Sequence, residues 1–360
     1  MNGTLESFAS FLALGEQDKR DVFDAAARRY DTLPSYVEKD FWVCLVLELL
    51  YNQMPIGHPR LLFKGGSSLS KAFGLIHRFS EDIDIVVNRD DLGFRGTCDP
   101  TAADKLSRKV RDALFDKLKK ACSSYILGDL KNELAILMDQ VSRGCRIEPD
   151  DNDGDKQTLL IEYPTQYPNS DSDYVIPSVK IEAGARSALV PALACNVIPM
   201  LAEELTDRSF EVCNVKVIAP ERTYWEKLLI LHGLHCGYRD EQRLPSDRDR
   251  IARHYYDVAM ITATEAGESI LSDITLLDAV RNHNLIAFRQ AWKRFEEAVP
   301  GSLKLVPQAG LRNVIESDYL AMERMILGEA PRFEWVMEQI QYAEAIANHQ
   351  VLSGGSENPT

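Results

Sequence analysis

The sequence predicts an α+β protein in which helices precede a mixed sheet and a largely helical part follows it. Three observations predict this. Apolar side chains recur at helical spacing through residues 5–51. Between 61 and 218, short apolar runs of strand length alternate with polar and glycine turns. From Pro220 the helical period returns and continues to 347. These changes of pattern divide the chain into a helical lead-in at 1–55, a sheet-bearing core at 56–218 and a helical domain at 219–350. The tail at 351–360, with the polar run Ser353-Gly354-Gly355-Ser356-Glu357-Asn358, is expected to be disordered.

Composition narrows the class further. At 360 residues and 45% hydrophobic content the chain can bury the cores of two or three domains. A formal net charge of −14 does not fit a general nucleic-acid binder, but it leaves room for a local basic surface. The seven cysteines are scattered and odd in number, with no Cys-x-x-Cys pair, which points to reduced thiols and away from zinc or a disulfide framework. No apolar run is long enough for a bilayer, and Met1-Asn2-Gly3-Thr4-Leu5-Glu6 lacks a signal peptide's basic start, so a cytoplasmic protein without membrane contact is expected.

In chain order, Phe8, Phe11 and Leu12 share one helix face, and Val22, Phe23, Ala26 and Ala27 another. Pro34 opens a third helix with Val37, Phe41, Cys44, Leu45 and Glu48 at helical spacing; Lys39 and Asp40 within it read, on their own, as surface charges. Next comes the stretch around which the chain is organised. Leu61-Leu62-Phe63 is a strand, Lys64-Gly65-Gly66-Ser67-Ser68 a turn into a helix bearing Leu69, Phe73 and Ile76, and Asp82-Ile83-Asp84-Ile85-Val86-Val87 a second strand. Side chains two apart on a strand point the same way, so Asp82 and Asp84 share one face while Ile83, Ile85 and Val87 face a core.

This order of parts suits nucleotidyl transfer. That reaction needs a nucleoside triphosphate held still and divalent cations bridging it, and Mg²⁺ or Mn²⁺ takes carboxylate and phosphate oxygens. Asp82 and Asp84 would supply the carboxylates, and Gly65, Gly66 and Ser67 would let backbone N–H groups approach the phosphates. Taken singly, an Asp-x-Asp strand face and a Gly-Gly-Ser turn are ordinary features; their sequence around one helix is what carries the reading.

A helix over 101–127 follows, with Leu106, Val110, Leu114 and Leu118 as its expected buried stripe. Its polar face holds Lys105, Arg108, Lys109, Arg111, Lys117, Lys119 and Lys120 against Asp104, Asp112 and Asp116, which is either a solvated face or an electrostatic strip for RNA phosphates. Strands are expected at 145–148, 158–163, 178–183 and 212–218. The acidic run 149–155 fails as a calcium loop, because Gly154 as the turn glycine would place Pro149 and Leu160 at the terminal ligand positions. Pro220 opens a helix through His232, a polar connection is expected from Gly237 to Pro245, and Arg253 and Asp257 share a face four residues apart. Trp292, Phe295 and Leu311 read as core.

Lys64-Gly65-Gly66-Ser67-Ser68-Leu69 with Arg78-Phe79-Ser80-Glu81-Asp82-Ile83-Asp84 resembles the AbiEii/AbiGii toxin nucleotidyltransferases of the DNA polymerase β-like superfamily. The resemblance spans roughly 35–260 and includes Val37-Glu38-Lys39-Asp40-Phe41-Trp42, similar to the family's lead-in helix. It implies a polymerase β-like core, Mg²⁺ (or Mn²⁺) as cofactor and NTP as substrate. It implies that Lys64, Gly65, Gly66, Ser67, Lys227 and Arg253 bind the nucleotide, with Lys227 recognised in Tyr224-Trp225-Glu226-Lys227-Leu228-Leu229. Asp82, Asp84, Lys227 and Asp257 are implied as catalytic, and a third metal carboxylate on a later strand is either Glu162 or Glu182. Lys180-Ile181-Glu182-Ala183-Gly184 resembles the family's strand and favours Glu182. The implied acceptor is an RNA hydroxyl, above all a tRNA 3′ end, and the implied partner an antitoxin encoded nearby. A protein hydroxyl, an aminoglycoside-like small molecule, or a non-catalytic regulatory role are the alternatives. Ser80, two residues before Asp82, is a candidate regulatory phosphosite.

Overall fold

The computed structural model describes residues 3–80, 82–102, 106–168, 176–244 and 250–349. Two compact units make up the chain: one from 1–74 and 79–218, the other from 75–78 and 219–360. The fold class is the expected α+β, with helices before a mixed sheet and helices after it.

In the first unit α1 (Gly3–Leu12), α2 (Glu16–Arg29) and α3 (Pro34–Glu48) lead the chain. Their apolar faces meet in an aromatic cluster of Phe8, Phe11, Phe23 and Phe41 with Phe210, ring centroids 4.9 to 6.4 Å apart. Each such pair adds about 0.5–1.5 kcal/mol beyond its buried area. α3 is buried on every side, including Glu38, Lys39 and Asp40. The reading of Lys39 and Asp40 as surface charges is therefore corrected: each has a partner that makes burial tolerable. Lys39 Nζ donates to the Ile176 carbonyl at 3.2 Å. Asp40 pairs with Lys71 and accepts the Met200 N–H at 2.7 Å.

Among the described residues the sheet has seven strands: β1 (Leu61–Lys64), β2 (Asp82–Val87), β3 (Arg146–Pro149), β4 (Thr158–Glu162), β5 (Ser178–Gly184), β6 (Ala192–Val197) and β7 (Val212–Ile218). Their order is β3-β4-β5-β2-β1-β7-β6. β2 runs parallel to β5 and β1 to β7, and the remaining pairs are antiparallel. Register fixes the two faces: Phe63 lies opposite Ile85 and Val217, and Ile83 opposite Ile181, all fully buried. The other face is polar at its centre. Edge strand β6 was not anticipated; four of its six residues are exposed, so it lacks the apolar alternation that marks a strand in sequence.

Between β1 and β2 lies α4 (Gly65–Lys71), and between β2 and β3 lie α5 (Arg108–Tyr125) and α6 (Lys131–Val141). α5 begins later than expected because Ser107 caps it, its hydroxyl accepting the Val110 N–H. Its buried stripe is Phe115, Leu118, Cys122 and Tyr125, and Val110 is exposed. The expected Lys105 and Asp104 lie outside the described residues.

The second unit is built on α7 (Pro220–Glu241), α8 (Ala252–Thr262), α9 (Glu265–Ser272), α10 (Ile274–Ala287), α11 (Ala309–Met322) and α12 (Phe333–His349). α7 continues through Gly237 to Glu241, where Gln242 stops it in a left-handed conformation; the polar connection expected at 237–245 is helical over its first half. Residues 75–78 join this unit, with Arg78 in a β-bridge to Ile326 and the Leu327 N–H donating to the His77 carbonyl at 2.8 Å.

Candidate active site

In the first unit, the polar sheet face gathers the residues expected to bind nucleotide and metal. Antiparallel register sets Lys64 on β1 beside Asp84 on β2, and parallel register sets Asp82 beside Lys180 and Asp84 beside Glu182 on β5. Ile83, Ile85 and Val87 are fully buried while Asp82 and Asp84 are half-buried, as alternation requires. Glu182 is thus the neighbour of Asp84. Glu162, on β4, pairs with Ser178 and lies a strand further out and four residues along.

Gly65 explains how the turn and the strand come so close. Its φ is +77°, a conformation that favours glycine, and a Cβ there would lie 2.0 Å from Asp84 Oδ2. The Asp84 carboxylate therefore occupies the space that glycine leaves at the start of α4. Ser67 is fully buried; its hydroxyl reaches the Asp82 carbonyl and is hydrogen-bonded to Ser80 Oγ at 2.7 Å. These bonds fix the entry to β2 and occupy the hydroxyl expected to meet phosphate. Lys64 Nζ donates to Ser187 Oγ at 3.2 Å.

Lys180, which sequence reasoning passed over, stands between the carboxylates. Its ammonium is 2.6 Å from Glu182 Oε1 and 3.8 Å from Asp150. Burial lowers its pKa, but the Glu182 bond and the Asp82 and Asp150 charges outweigh burial and raise it.

Oxygen donors on one strand face are the right chemistry for Mg²⁺, which commonly takes one or two carboxylates and completes its shell with phosphate and water. Asp82 and Asp84 fit that demand, and the glycine-made cradle for Asp84 supports it. Glu182, beside Asp84 in register, is held by Lys180, and among the described residues no three His, Cys, Asp or Glu side chains stand close enough to share an ion.

Lys227 and Asp257 come together in the second unit, as expected, 2.8 Å apart between α7 and α8. What sequence reasoning missed is Arg78, whose Nε and Nη2 donate to the two Asp257 oxygens at 2.7 and 2.8 Å. The signal was present, since Arg78 heads the Arg-Phe-Ser-Glu-Asp run. Asp257 is fully buried, and Arg78 and Lys227 nearly so. Burial opposes the charge on Asp257, but Arg78 and Lys227 hold its carboxyl well below the usual range. With both oxygens engaged, Asp257 holds cations in place and is not presented as a base. Arg253, one turn before it, is half-buried and adds positive potential at Lys227.

A carboxylate pair beside a glycine-led turn, on the polar face of a mixed sheet, is suited to holding a cation and a phosphorylated substrate. That is the chemistry of a nucleotidyltransferase. The family model of the nucleotidyl transferase AbiEii toxins, type IV toxin–antitoxin systems, matches residues 48–339, and the chain belongs to that family. Among solved structures it is similar to MenT4, a nucleotidyltransferase toxin from Mycobacterium tuberculosis H37Rv, at 15% identity and a TM-score of 0.47 over 90% of this chain and 89% of that one. No curated protein matches. Among the described residues no helix is long and apolar enough to cross a membrane.

Proposed function

We propose that this nucleotidyltransferase moves a nucleoside monophosphate from an NTP to an acceptor hydroxyl, with an RNA 3′ end, above all that of tRNA, as acceptor. The observation that carries the reading is the Asp82–Asp84 pair on β2, set against the Gly65 backbone. Asp82 and Asp84 would hold Mg²⁺ or Mn²⁺, with Glu182 joining if its bond to Lys180 opens. A bound divalent cation supplies charge stabilisation to the triphosphate and its leaving group. The chain's own residues orient and hold: Gly65 lets the backbone approach, Ser67 fixes the strand entry, and Lys227 and Arg253 keep the phosphate-contact role that the resemblance gives them. Asp257 would act by fixing Lys227 and Arg78. An antitoxin encoded nearby and a cytoplasmic location complete the reading.

The net charge of −14 favours one alternative, a cationic small molecule such as an aminoglycoside. Labelled NTPs offered singly with Mg²⁺ and total RNA, bulk protein or aminoglycoside separate these acceptors. Label in RNA from the parent and none from Asp84→Ala is the expected result; label only in the drug or in protein would replace the RNA reading.

A further inference from the structure

The second unit carries more positive charge around Asp257 than that carboxylate can neutralise. Arg78 and Lys227 both bind it. Arg253 is a third cation acting on Lys227, and it has no hydrogen bond or ion pair among the described residues. The chain as a whole is acidic, so a local excess of this kind is a place for an anion.

His254, which has no role so far, stands in the same place. On α8, at about 100° per residue, Arg253 and His254 lie about 100° apart with Asp257 between them. The His254 side chain is half-buried and makes no hydrogen bond among the described residues; its Nδ1 is shut off from solvent. The charged groups acting on the ring are Lys227 from α7, Arg253 and Asp257 from α8, and Arg78 from the 75–78 segment. Of the other helices packed on α8, α11 brings Asp318, whose Oδ2 accepts the Ala252 N–H at 2.6 Å, while α9 and α12 bury only apolar residues. Burial and the three cations outweigh Asp257 and push the imidazole well below its ordinary pKa, so the ring is neutral. A neutral imidazole has one N–H and one lone pair. Among cations the closed-in Nδ1 is better as the lone pair, which assigns the proton to Nε2, at the open side of the ring.

We propose that His254 is a further contact for the triphosphate, its Nε2–H donating to a phosphate oxygen beside Arg253 and Lys227. This rests on NTP being the substrate. A neutral donor suits the position, because a fourth cation would be packed against three others with one carboxylate to hold them. The ring binds and orients, and exchanges no proton.

The test measures binding to the full chain by calorimetry, with Mg·NTP, each nucleotide in turn, and with inorganic triphosphate plus Mg²⁺. His254→Ala removes the donor. His254→Gln keeps an amide N–H near the Nε2 position and cannot titrate. A hydrogen bond to a charged group is worth about tenfold or more in affinity. His254→Ala should therefore bind both ligands about tenfold more weakly, by the same factor, and raise KM for NTP with kcat at saturating NTP unchanged. His254→Gln should bind within about threefold of the parent, and the two should share one pH dependence from about pH 6 to about pH 8.

Equal affinity in the parent and His254→Ala overturns the proposal. So does a loss seen with NTP but not with triphosphate, which puts the ring on the nucleoside. A His254→Gln as weak as His254→Ala makes the ring a packing element, and a parent that gains on His254→Gln as pH falls has a ring that charges; either result overturns the neutral donor. A parent that binds neither ligand ends the nucleotide reading together with this one. A parent that labels its acceptor, with His254→Ala equal to it at low NTP, leaves the transferase reading standing and strikes His254 alone.

Discussion

Gly65 is where one missing methyl group decides the geometry of the site. Any L-residue there pays about 1–2 kcal/mol for the left-handed conformation, and its Cβ would also meet Asp84. Gly74 makes a control, with φ +61° and nothing within 4 Å of its would-be Cβ. Both Gly65→Ala and Gly74→Ala should lower stability in urea denaturation by about 1–2 kcal/mol, but only Gly65→Ala should abolish transfer; equal activity in the two would detach Gly65 from Asp84. Ser80 is tested in the same way. Its hydroxyl is bonded to Ser67, so modification there would both break the strand entry and place negative charge beside Asp82. Ser80→Glu should bind Mg·NTP poorly by calorimetry while Ser80→Ala keeps its affinity. Asp257 is the third case. Replacing it with Asn leaves Arg78 and Lys227 buried against a neutral group, a loss of about 3–5 kcal/mol. Because its folded pKa lies below the ordinary value of about 3.9, its stabilisation is complete above that pH and is lost as pH falls through the depressed folded value. The acid limb of the stability curve should be steeper in the parent than in Asp257→Asn, and Lys227→Ala should add little on top of Asp257→Asn in a double-mutant cycle.

At the scale of elements, legibility followed periodicity. β2 declared its two faces because alternation needs no knowledge of neighbours, so Asp82 and Asp84 were readable from the sequence. The choice of Glu182 over Glu162 rested on resemblance, since strand order and register are long-range facts: only β5 pairing parallel with β2 brings Glu182 beside Asp84. The charges of α3 misled for a related reason, as their partners Met200 and Ile176 are more than a hundred residues away. On α5 the stripe was shifted because Leu and Val attracted the assignment while Phe115 and Tyr125 do the packing. α7 gives an element-scale test. Gly to Ala inside a helix ordinarily gains up to about 1 kcal/mol. At Gly237 the new Cβ would lie 2.6 Å from Cε3 of Trp292, so the gain should reverse. Chemical denaturation of Gly237→Ala is expected to show destabilisation, relieved when Trp292 is also replaced by Leu; a stabilised single variant would mean that the ring yields freely.

The whole molecule is an acidic chain, and with the nucleotide site proposed at Asp82 and Asp84 that charge sets its response to ligand. A net charge of −14 repels a free triphosphate, and Asp82 and Asp84 repel it at close range. A divalent cation reverses both effects locally, so nucleotide and metal should bind together and neither strongly alone. Binding to the folded state alone raises stability by RT ln(1 + [L]/Kd), about 2.7 kcal/mol at a hundredfold excess over Kd. For a unit of this size that is a rise of several degrees in Tm. The parent should show the rise with Mg²⁺ and NTP together, lose it in EDTA, and show little with either component singly. Asp82→Asn and Asp84→Asn should lose the rise, each read against its own ligand-free melting temperature, because each removes a carboxylate from the β2 pair. An undiminished Mg·NTP shift in the double variant would remove the carboxylates from the metal site. A full shift without Mg²⁺ would instead place the triphosphate on the protein's cations alone.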